Sequence, residues 1–279
     1  MSEPSIGLAL GGGSARGLAH IPVLEVFDEL GIKPKVIAGC SIGALLGAGY
    51  AGGLTAKEIR ERAELLLSGR IGALKFAFGQ KRVNPFELLA LRGLASLHVH
   101  GEKLASLVLP ETLPEMIEDL AIRFKVIATD FDAMEERVIE RGSLVRALGA
   151  SIAIPGVILG PQYDGHSYVD GGVTNPVPFD HVRDGVDIVV AVDVTGRPRE
   201  ASRRNRTNMD LAVGSILILF NQVASLRRQI SPPDIYVRPA IDSFSAGDYF
   251  RIGEVLEQAR PAKDQLKREL EKRLRAAST

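Results

Sequence analysis

Short apolar segments alternate with longer segments of helical periodicity along most of the chain, and this alternation strongly restricts the folds available. The apolar segments cover residues 5–10, 35–38, 123–129 and 187–194. The last of them is strongly apolar, which is typical of a strand buried inside a parallel sheet. Buried strands that alternate with helices predict an α/β layered fold.

The helical segments are amphipathic, and one of them carries a recognisable start signal. Residues 54–67 have apolar side chains at helical spacing, with Thr55 and Glu58 placed as in a capping box. The helix after the first strand contains Pro22, so we expect its regular part to begin near that residue. Residues 209–228 are predicted to form a long helix.

No segment between these elements has the composition of a linker. The 279 residues, 46% of them hydrophobic, are enough for one continuous core. We therefore predict a single domain over residues 1–279, with a motif-bearing core at about 6–178 and a helical C-terminal part at about 205–279. Residues 69–100 are weakly patterned, and this is where we expect an insertion or a lid over the substrate.

Gly39-Cys40-Ser41-Ile42-Gly43 is a G-x-S-x-G sequence between a predicted strand and a predicted helix. Such a turn exposes the central serine, and its flanking glycines remove side chains that would clash. At a helix N-terminus, Ser41 would also have free N–H groups that favour developing negative charge. The alternative is a tight turn with an incidental serine. The strand–turn–helix context favours a nucleophile.

A serine nucleophile needs a general base, because its hydroxyl is a weak nucleophile at neutral pH. The chain has five histidines: His20, His98, His100, His166 and His181. Only His181 follows Asp170 and so gives the order Ser–Asp–His of an α/β-hydrolase. His181 comes only eleven positions after Asp170, in a connection rich in proline and aspartate, which argues against such a triad. We predict that each histidine has a surface or structural role.

The first strand runs into Gly11-Gly12-Gly13, followed by Arg16. A dinucleotide-binding loop is one interpretation, but no Asp or Glu occurs from residue 31 to 56, where the ribose partner is expected. The lysine and hydroxyl of a Walker loop are also absent. We favour an oxyanion hole, because consecutive glycines expose backbone N–H groups. For Arg16, a salt bridge and a contact with an anion are equally compatible with the sequence.

Asp170-Gly171-Gly172 ends another predicted strand, and alone it is common turn chemistry. The glycine loop with Arg16, the G-x-S-x-G turn and this aspartate, in this order, resemble the patatin-like phospholipase family. The segment 150–156 also resembles the stretch that precedes the aspartate in that family. The resemblance covers residues from about 6 to 178, well over half of the chain.

The resemblance implies a three-layer α/β/α sandwich with a mainly parallel central sheet, and a serine–aspartate dyad. It makes Ser41 the nucleophile, held in an elbow with Gly39, Ile42 and Gly43, and Asp170 the proton acceptor. It assigns the oxyanion hole to the glycine loop and nearby Arg16. The implied substrates are acyl esters of lipids, with no metal or other cofactor. The segment 156–161 lacks an aromatic residue often found in the family, which affects the expected shape of the acyl pocket.

Charge and cysteine content limit the partners and the compartment. Lysine plus arginine and aspartate plus glutamate number 34 each, which argues against nucleic acid as a partner. A single cysteine, Cys40, and a start without a signal-peptide pattern favour a cytoplasmic location. We expect any membrane contact to be peripheral. The basic segment 263–275 is predicted to pack on the domain as a helix rather than to act as an anchor.

The resemblance, together with Ser41 and Asp170, implies a serine acyl hydrolase of the lipase, phospholipase A or lysophospholipase type. An acyltransferase would use the same acyl-enzyme and pass the acyl group to an acceptor other than water. A nucleotide-binding oxidoreductase is disfavoured by the missing acidic partner, and a non-catalytic regulator by the intact Ser41 and Asp170. The sequence makes no prediction of the oligomeric state.

Overall fold

The computed structural model describes residues 4–67, 99–163, 165–196 and 208–278. The strands are β1 (Ile6–Leu10), β2 (Val36–Cys40), β3 (Val99–His100), β4 (Arg123–Asp130), β5 (Glu135–Ile139), β6 (Ile158–Leu159), β7 (Gln162–Tyr163), β8 (His166–Asp170), β9 (Ile188–Val192) and β10 (Ile235–Val237). The α-helices are α1 (His20–Leu30), α2 (Ile42–Ala51), α3 (Ala56–Leu67), α4 (Gly101–Val108), α5 (Leu144–Ser151), α6 (Asn208–Ile230) and α7 (Ile252–Ser278). Short 3₁₀ turns cover Ser14–Ala19, Ile117–Asp119, Gly171–Val173, Phe179–Val182 and Tyr249–Arg251.

The main sheet of the described residues has the strand order β10-β9-β1-β2-β4-β8-β7, with β5 also paired to β4. The strands from β10 to β4 run parallel to their neighbours, whereas β5, β7 and β8 are antiparallel additions. The prediction of an α/β fold with a mainly parallel central sheet is confirmed. In the register of β1 and β2, Leu10 lies opposite Gly39, so the loops after both strands leave the same edge side by side.

Strand β4 brings distant parts of the chain together, because two strands share one of its edges. β5 pairs with β4 along Val126–Asp130 and so occupies the other edge. β2 covers the shared edge up to Ile127, which is opposite Cys40, and β8 continues from Ala128, which is opposite Asp170. The last residue of β8 therefore lies next to the end of β2 in space.

Both faces of the sheet are covered, as alternation along β1 shows. Leu8 and Leu10 pack into a core cluster with residues of α1, α2, α3 and α7. Ala9 points to the opposite face and packs with Phe179 and with Ala224 of α6. Strands buried on both faces explain why these segments of the sequence are mainly apolar.

Local sequence signals account for the ends of several helices. Thr55 and Glu58 form the predicted capping box, with the Thr55 amide donating to Glu58 Oε2 at 2.7 Å and the Glu58 amide donating to Thr55 Oγ1 at 3.2 Å. Pro22 lies in the first turn of α1, where its missing N–H removes no helical hydrogen bond. α1 ends at Gly31, whose φ of 67° is left-handed.

The C-terminal helix packs on the sheet domain, as its sequence predicts. Leu266 and Leu270 of α7 are fully buried, and Lys263 bonds to Glu25 and Glu29 of α1 at 2.7 and 2.6 Å. No helix in the described ranges is both long and apolar enough to cross a bilayer. The predicted lid at 69–100 lies outside the described residues except for Val99 and His100 in β3.

Candidate active site

Ser41 lies at a sharp turn between β2 and α2 with a strained backbone. Its φ of 53° and ψ of −124° place it in a region that non-glycine residues rarely adopt. A Cβ on Gly39 would lie 2.5 Å from the Ala44 Cα, and one on Gly43 would lie 2.2 Å from the Leu10 carbonyl oxygen. Both flanking positions therefore require glycine for the turn to close.

The Ser41 hydroxyl meets the carboxylate of Asp170. Ser41 Oγ donates a hydrogen bond to Asp170 Oδ2 at 2.6 Å, and the two residues are only 5% and 1% exposed. The Gly172 amide donates to the other carboxylate oxygen, Oδ1, at 2.8 Å. Two hydrogen bonds hold the Asp170 backbone. The Asp170 amide donates to Ala153 O, and Thr129 Oγ1 donates to Asp170 O. The carboxylate is thus fixed in position on several sides.

Burial changes the acidity of this carboxylate. Desolvation raises the pKa of Asp170 to about 6, although the hydrogen bonds from Ser41 and Gly172 act in the lowering direction. A carboxylate with this pKa is a better proton acceptor than an ordinary aspartate and is still ionised at neutral pH.

Cys40 lies on the other side of the same carboxylate. Its Sγ is 3.9 Å from Asp170 Oδ1, and the residue is fully buried. Burial, together with the charge of Asp170, raises the pKa of the Cys40 thiol well above its usual range. The thiol is therefore neutral at physiological pH and has the character of a packing residue rather than a nucleophile.

The glycine loop lies against the nucleophile, but two of its amides are already bonded. The Gly11 amide donates to Val192 O at 3.0 Å and the Gly12 amide to Pro176 O at 2.9 Å. Among the described residues, the Gly13 amide forms no hydrogen bond. A Cβ on Gly12 would lie 3.2 Å from the Ser41 Cβ, so this glycine forms one wall of the space around Ser41. Of the predicted oxyanion donors, only Gly13 has an amide available for a ligand.

Arg16 contacts the C-terminal part of the chain. Its side chain is 1% exposed, and Nη1 donates to Phe244 O at 3.0 Å. A Cβ on Gly196 would overlap the Arg16 guanidinium at 1.9 Å, so the guanidinium packs directly on that backbone. Its Nε and Nη2 have no hydrogen-bond partner among the described residues. No described contact joins Arg16 to Ser41 or Asp170.

Three of the described histidines form hydrogen bonds with groups other than Ser41 and Asp170. His20 Nε2 bonds to Gly11 O at 2.8 Å, His166 Nδ1 to Asp130 at 2.7 Å, and His181 Nε2 to Glu136 at 2.5 Å. His100 is exposed in β3, and His98 lies outside the described residues. No hydrogen bond joins Ser41 to any of the four described histidines, so their side chains do not form a triad with it.

A known protein family matches well over half of the chain. A model of the patatin-like phospholipase family matches residues 8–183, a stretch that contains the glycine loop, Ser41 and Asp170. The chain belongs to the patatin-like phospholipase family.

Relatives of this patatin-like chain are mostly longer proteins. An uncharacterized NTE family protein of Mycobacterium tuberculosis is 33% identical over 212 residues, covering 75% of this chain and 54% of that protein. Patatin-like phospholipase domain-containing protein 6 of Mus musculus is 32% identical, covering 91% of this chain and 20% of that protein. The chain thus spans about half of the mycobacterial relative and about a fifth of the mouse protein.

One solved structure shares the fold at low sequence identity. VipD from Legionella pneumophila superposes with a TM-score of 0.52 and 13% identity, over 96% of this chain and 67% of VipD. At that identity the likeness concerns the fold alone.

A charged cluster holds the loop that follows Asp170 in this patatin-like chain. Asn175 Nδ2 donates to Glu136 and Asp180, both at 2.9 Å, and Arg227 of α6 bonds to the same two carboxylates. Burial lowers the pKa of His181, but the hydrogen bond to Glu136 and the charge of Asp180 outweigh it and raise the pKa. Glu136, Asp180 and His181 are close enough to share a cation. Arg227 already supplies positive charge to both carboxylates there.

Nothing in the sequence indicated the role of Ser151, whose side chain forms a hydrogen bond with the backbone of the nucleophile turn. Its buried hydroxyl accepts the Ser41 amide at 2.8 Å and donates to Ile127 O at 2.6 Å. The residue belongs to the segment 150–156 that resembles the family, so the family pattern marked the place without indicating a contact with Ser41.

Ser151→Ala is expected to lower kcat for a soluble ester by about 10- to 100-fold with little change in KM, because small displacements of a reacting group are costly. The Ser41 amide would lose its partner and the strained turn would relax. Ser143→Ala is the matched control, since Ser143 caps the same helix, accepting from the Arg146 amide. That variant should lose stability but keep kcat. Equal kcat values for the two variants would contradict a positioning role for Ser151.

Proposed function

We propose that this chain is a serine acyl hydrolase that cleaves acyl esters of lipids through a Ser41–Asp170 dyad. The observation that carries the proposal is the 2.6 Å hydrogen bond between Ser41 Oγ and Asp170 Oδ2, buried at the end of β2. Family membership supports the lipid substrate class. Whether the activity is of the lipase, phospholipase A or lysophospholipase type is left to product analysis.

In the first half of the reaction, Ser41 Oγ attacks the carbonyl carbon of the ester. Its proton passes to Asp170 Oδ2 along the existing hydrogen bond. The carbonyl oxygen becomes an oxyanion, for which the Gly13 amide is the proposed donor, helped by the N-terminal end of α2. The tetrahedral intermediate then expels the alcohol, which takes the proton from Asp170, and an acyl-Ser41 ester remains.

In the second half, a water molecule attacks the acyl-Ser41 carbonyl and gives a proton to Asp170. Collapse of the second intermediate releases the fatty acid and returns the proton to Ser41 Oγ. One carboxylate therefore acts as base and then as acid in each half. Its raised pKa suits it to both roles near neutral pH.

The experiment that tests the proposal is labelling with a fluorophosphonate probe, followed by peptide mapping. The probe is expected to modify Ser41 and no other serine, because only an activated hydroxyl reacts with it. Heat-unfolded protein is the control and should not react. A modified residue other than Ser41, or no modification of the folded chain, would refute the dyad.

The ester hydrolysis rate is expected to follow the ionisation of Asp170. Below the Asp170 pKa of about 6, kcat/KM should fall about tenfold per pH unit, because a protonated carboxyl cannot accept the Ser41 proton. Above it the rate should be flat. The measurement is kcat/KM for a soluble ester from about pH 4.5 to pH 8. A rate that stays constant to the lower limit would mean that Asp170 is not the base.

A further inference from the structure

His20 is a fully buried histidine whose side chain contacts the glycine loop. It is the first residue of α1, and its Nε2 lies 2.8 Å from the carbonyl oxygen of Gly11. A carbonyl oxygen can only accept a hydrogen bond, so Nε2 carries the proton and donates it to this bond. The reaction proposed above gives this buried histidine no part.

The surroundings of His20 keep its imidazole neutral. Burial lowers the pKa of His20 to about 4, although the hydrogen bond to Gly11 and the charge of Asp193 act in the raising direction. The other ring nitrogen, Nδ1, is buried and has no hydrogen-bond partner among the described residues. A general base is normally oriented by a third group on that side of the ring. His20 therefore has the geometry of a hydrogen-bond donor to the glycine loop, not of a base.

The bond from His20 holds one side of the peptide that joins Gly11 to Gly12, and Pro176 holds the other side. Gly11 O accepts from His20, whereas the Gly12 amide donates to Pro176 O at 2.9 Å. The C=O and the N–H of one trans peptide point in opposite directions, so the two bonds together fix the rotation of the peptide plane. Glycines permit many backbone conformations, and this restraint must therefore come from outside the loop.

The restrained peptide lies between the nucleophile turn and the proposed oxyanion donor. A Cβ on Gly43 would lie 2.7 Å from Gly11 O, and a Cβ on Gly12 would lie 3.2 Å from the Ser41 Cβ. The next amide along the chain is that of Gly13, which forms no hydrogen bond among the described residues. A rotation of the restrained peptide would therefore displace the Gly13 N–H relative to Ser41.

We propose that His20 is a positioning residue for the oxyanion hole. Its Nε2–H fixes the Gly11 carbonyl, and through the peptide that follows it keeps the Gly13 N–H directed to the place where the ester oxygen becomes negative. The imidazole itself neither touches the ester nor moves a proton. The inference rests on the proposed function, because an oxyanion forms only if Ser41 attacks an acyl ester.

The test compares His20→Phe, which removes the donor and keeps a planar ring, with His20→Gln, whose side-chain amide can donate from about the same place. For a soluble ester, His20→Phe is expected to lower kcat about 10- to 30-fold with little change in KM, because the oxyanion donor is displaced rather than removed. His20→Gln should restore most of that loss. Tyr50→Phe is the matched control, since it removes a hydroxyl of a buried residue that donates to Asp28 Oδ1 at 2.8 Å. It should lose stability but keep kcat.

A thionoester, with sulfur in place of the carbonyl oxygen, separates positioning of the oxyanion donor from a general loss of structure. Sulfur accepts hydrogen bonds more weakly than oxygen, so an amide donor favours hydrolysis of the ester over that of the thionoester. The ratio of the two kcat/KM values, ester over thionoester, should fall in His20→Phe. It should stay at the parent value in His20→Gln and in Tyr50→Phe.

Circular dichroism and the thermal midpoint verify that each variant folds, and His20→Leu replaces His20→Phe if the larger ring prevents folding. Parent kcat in a folded variant without the donor would overturn the proposal. So would a lowered kcat with an unchanged thionoester ratio, since His20 would then be structural only. In both cases fluorophosphonate labelling of Ser41 in the parent chain would leave the hydrolase standing. Absence of that labelling would refute the hydrolase and, with it, the positioning role.

Discussion

Asp170→Asn is expected to lower the turnover of a soluble carboxylic ester by at least about 10³-fold, as loss of a member of a catalytic unit does in serine hydrolases. An asparagine preserves the size of the side chain and can still accept a hydrogen bond from Ser41 Oγ. It cannot take the proton. The fold should survive, because the carboxylate is a buried charge whose removal relieves desolvation. The measurement is kcat/KM together with the rate of fluorophosphonate labelling.

Ser41→Ala should reduce turnover to a similar extent, and combining the two changes should cost little more than either alone, because the residues act as one unit. Cys40→Ala is the matched control. It changes a neighbour of the same carboxylate whose thiol stays neutral, so most of the turnover should remain. Substantial turnover in either dyad variant would disprove the proposed mechanism. A complete loss in the Cys40 variant would show that the sulfur takes part.

Gly12→Ala is expected to give the second largest loss, about 10²-fold in kcat, comparable to the loss of one oxyanion contact. The new methyl would lie 3.2 Å from the Ser41 Cβ and 3.3 Å from Cys40 Sγ, so neighbouring atoms must shift by a few tenths of an ångström. The shift would fall on the nucleophile and on the adjacent Gly13 amide. The measurement is kcat for a soluble ester alongside the thermal midpoint.

Two other glycines separate a catalytic effect from a folding effect. Gly13→Ala would place a methyl 2.2 Å from the Val194 carbonyl oxygen, and this variant is expected to lose stability outright. At Gly253 in α7 an added methyl meets no atom within 4 Å, so Gly253→Ala should be neutral or stabilising. If Gly12→Ala keeps full activity, the glycine loop does not border the reacting ester.

The strands and helices were largely predictable because their signals are local. Periodicity located β1, β2, β9 and the long helix α6 to within a few residues. The capping residues Thr55 and Glu58 marked the start of α3. These features depend on neighbours along the chain, which a sequence displays directly. The antiparallel direction of β8 had no such signal, because strand direction depends on the pairing partner.

The candidate site was predictable by residue type but not by contact. Ser41 was recognisable from its turn, and Asp170 only from its place in the family pattern. Other contacts of the site join segments that are far apart in the chain. The Gly11 and Gly12 amides donate to the Val192 and Pro176 carbonyl oxygens, and buried Arg16 donates to Phe244 O. The hydroxyl of Ser151 reaches the Ser41 amide across 110 positions. A local sequence pattern does not indicate a contact between residues so far apart in the chain.

By itself, the amino-acid sequence determined the alternation of buried strands with amphipathic helices and the two glycine-rich turns that leave β1 and β2. It did so because backbone preference and side-chain periodicity act over a few residues. The tertiary structure alone decided that β2 and β8 pair with successive parts of the same edge of β4, with β2 ending at Ile127 and β8 continuing from the next residue. That shared edge brings the Asp170 carboxylate to the Ser41 hydroxyl, in surroundings dry enough to raise its pKa.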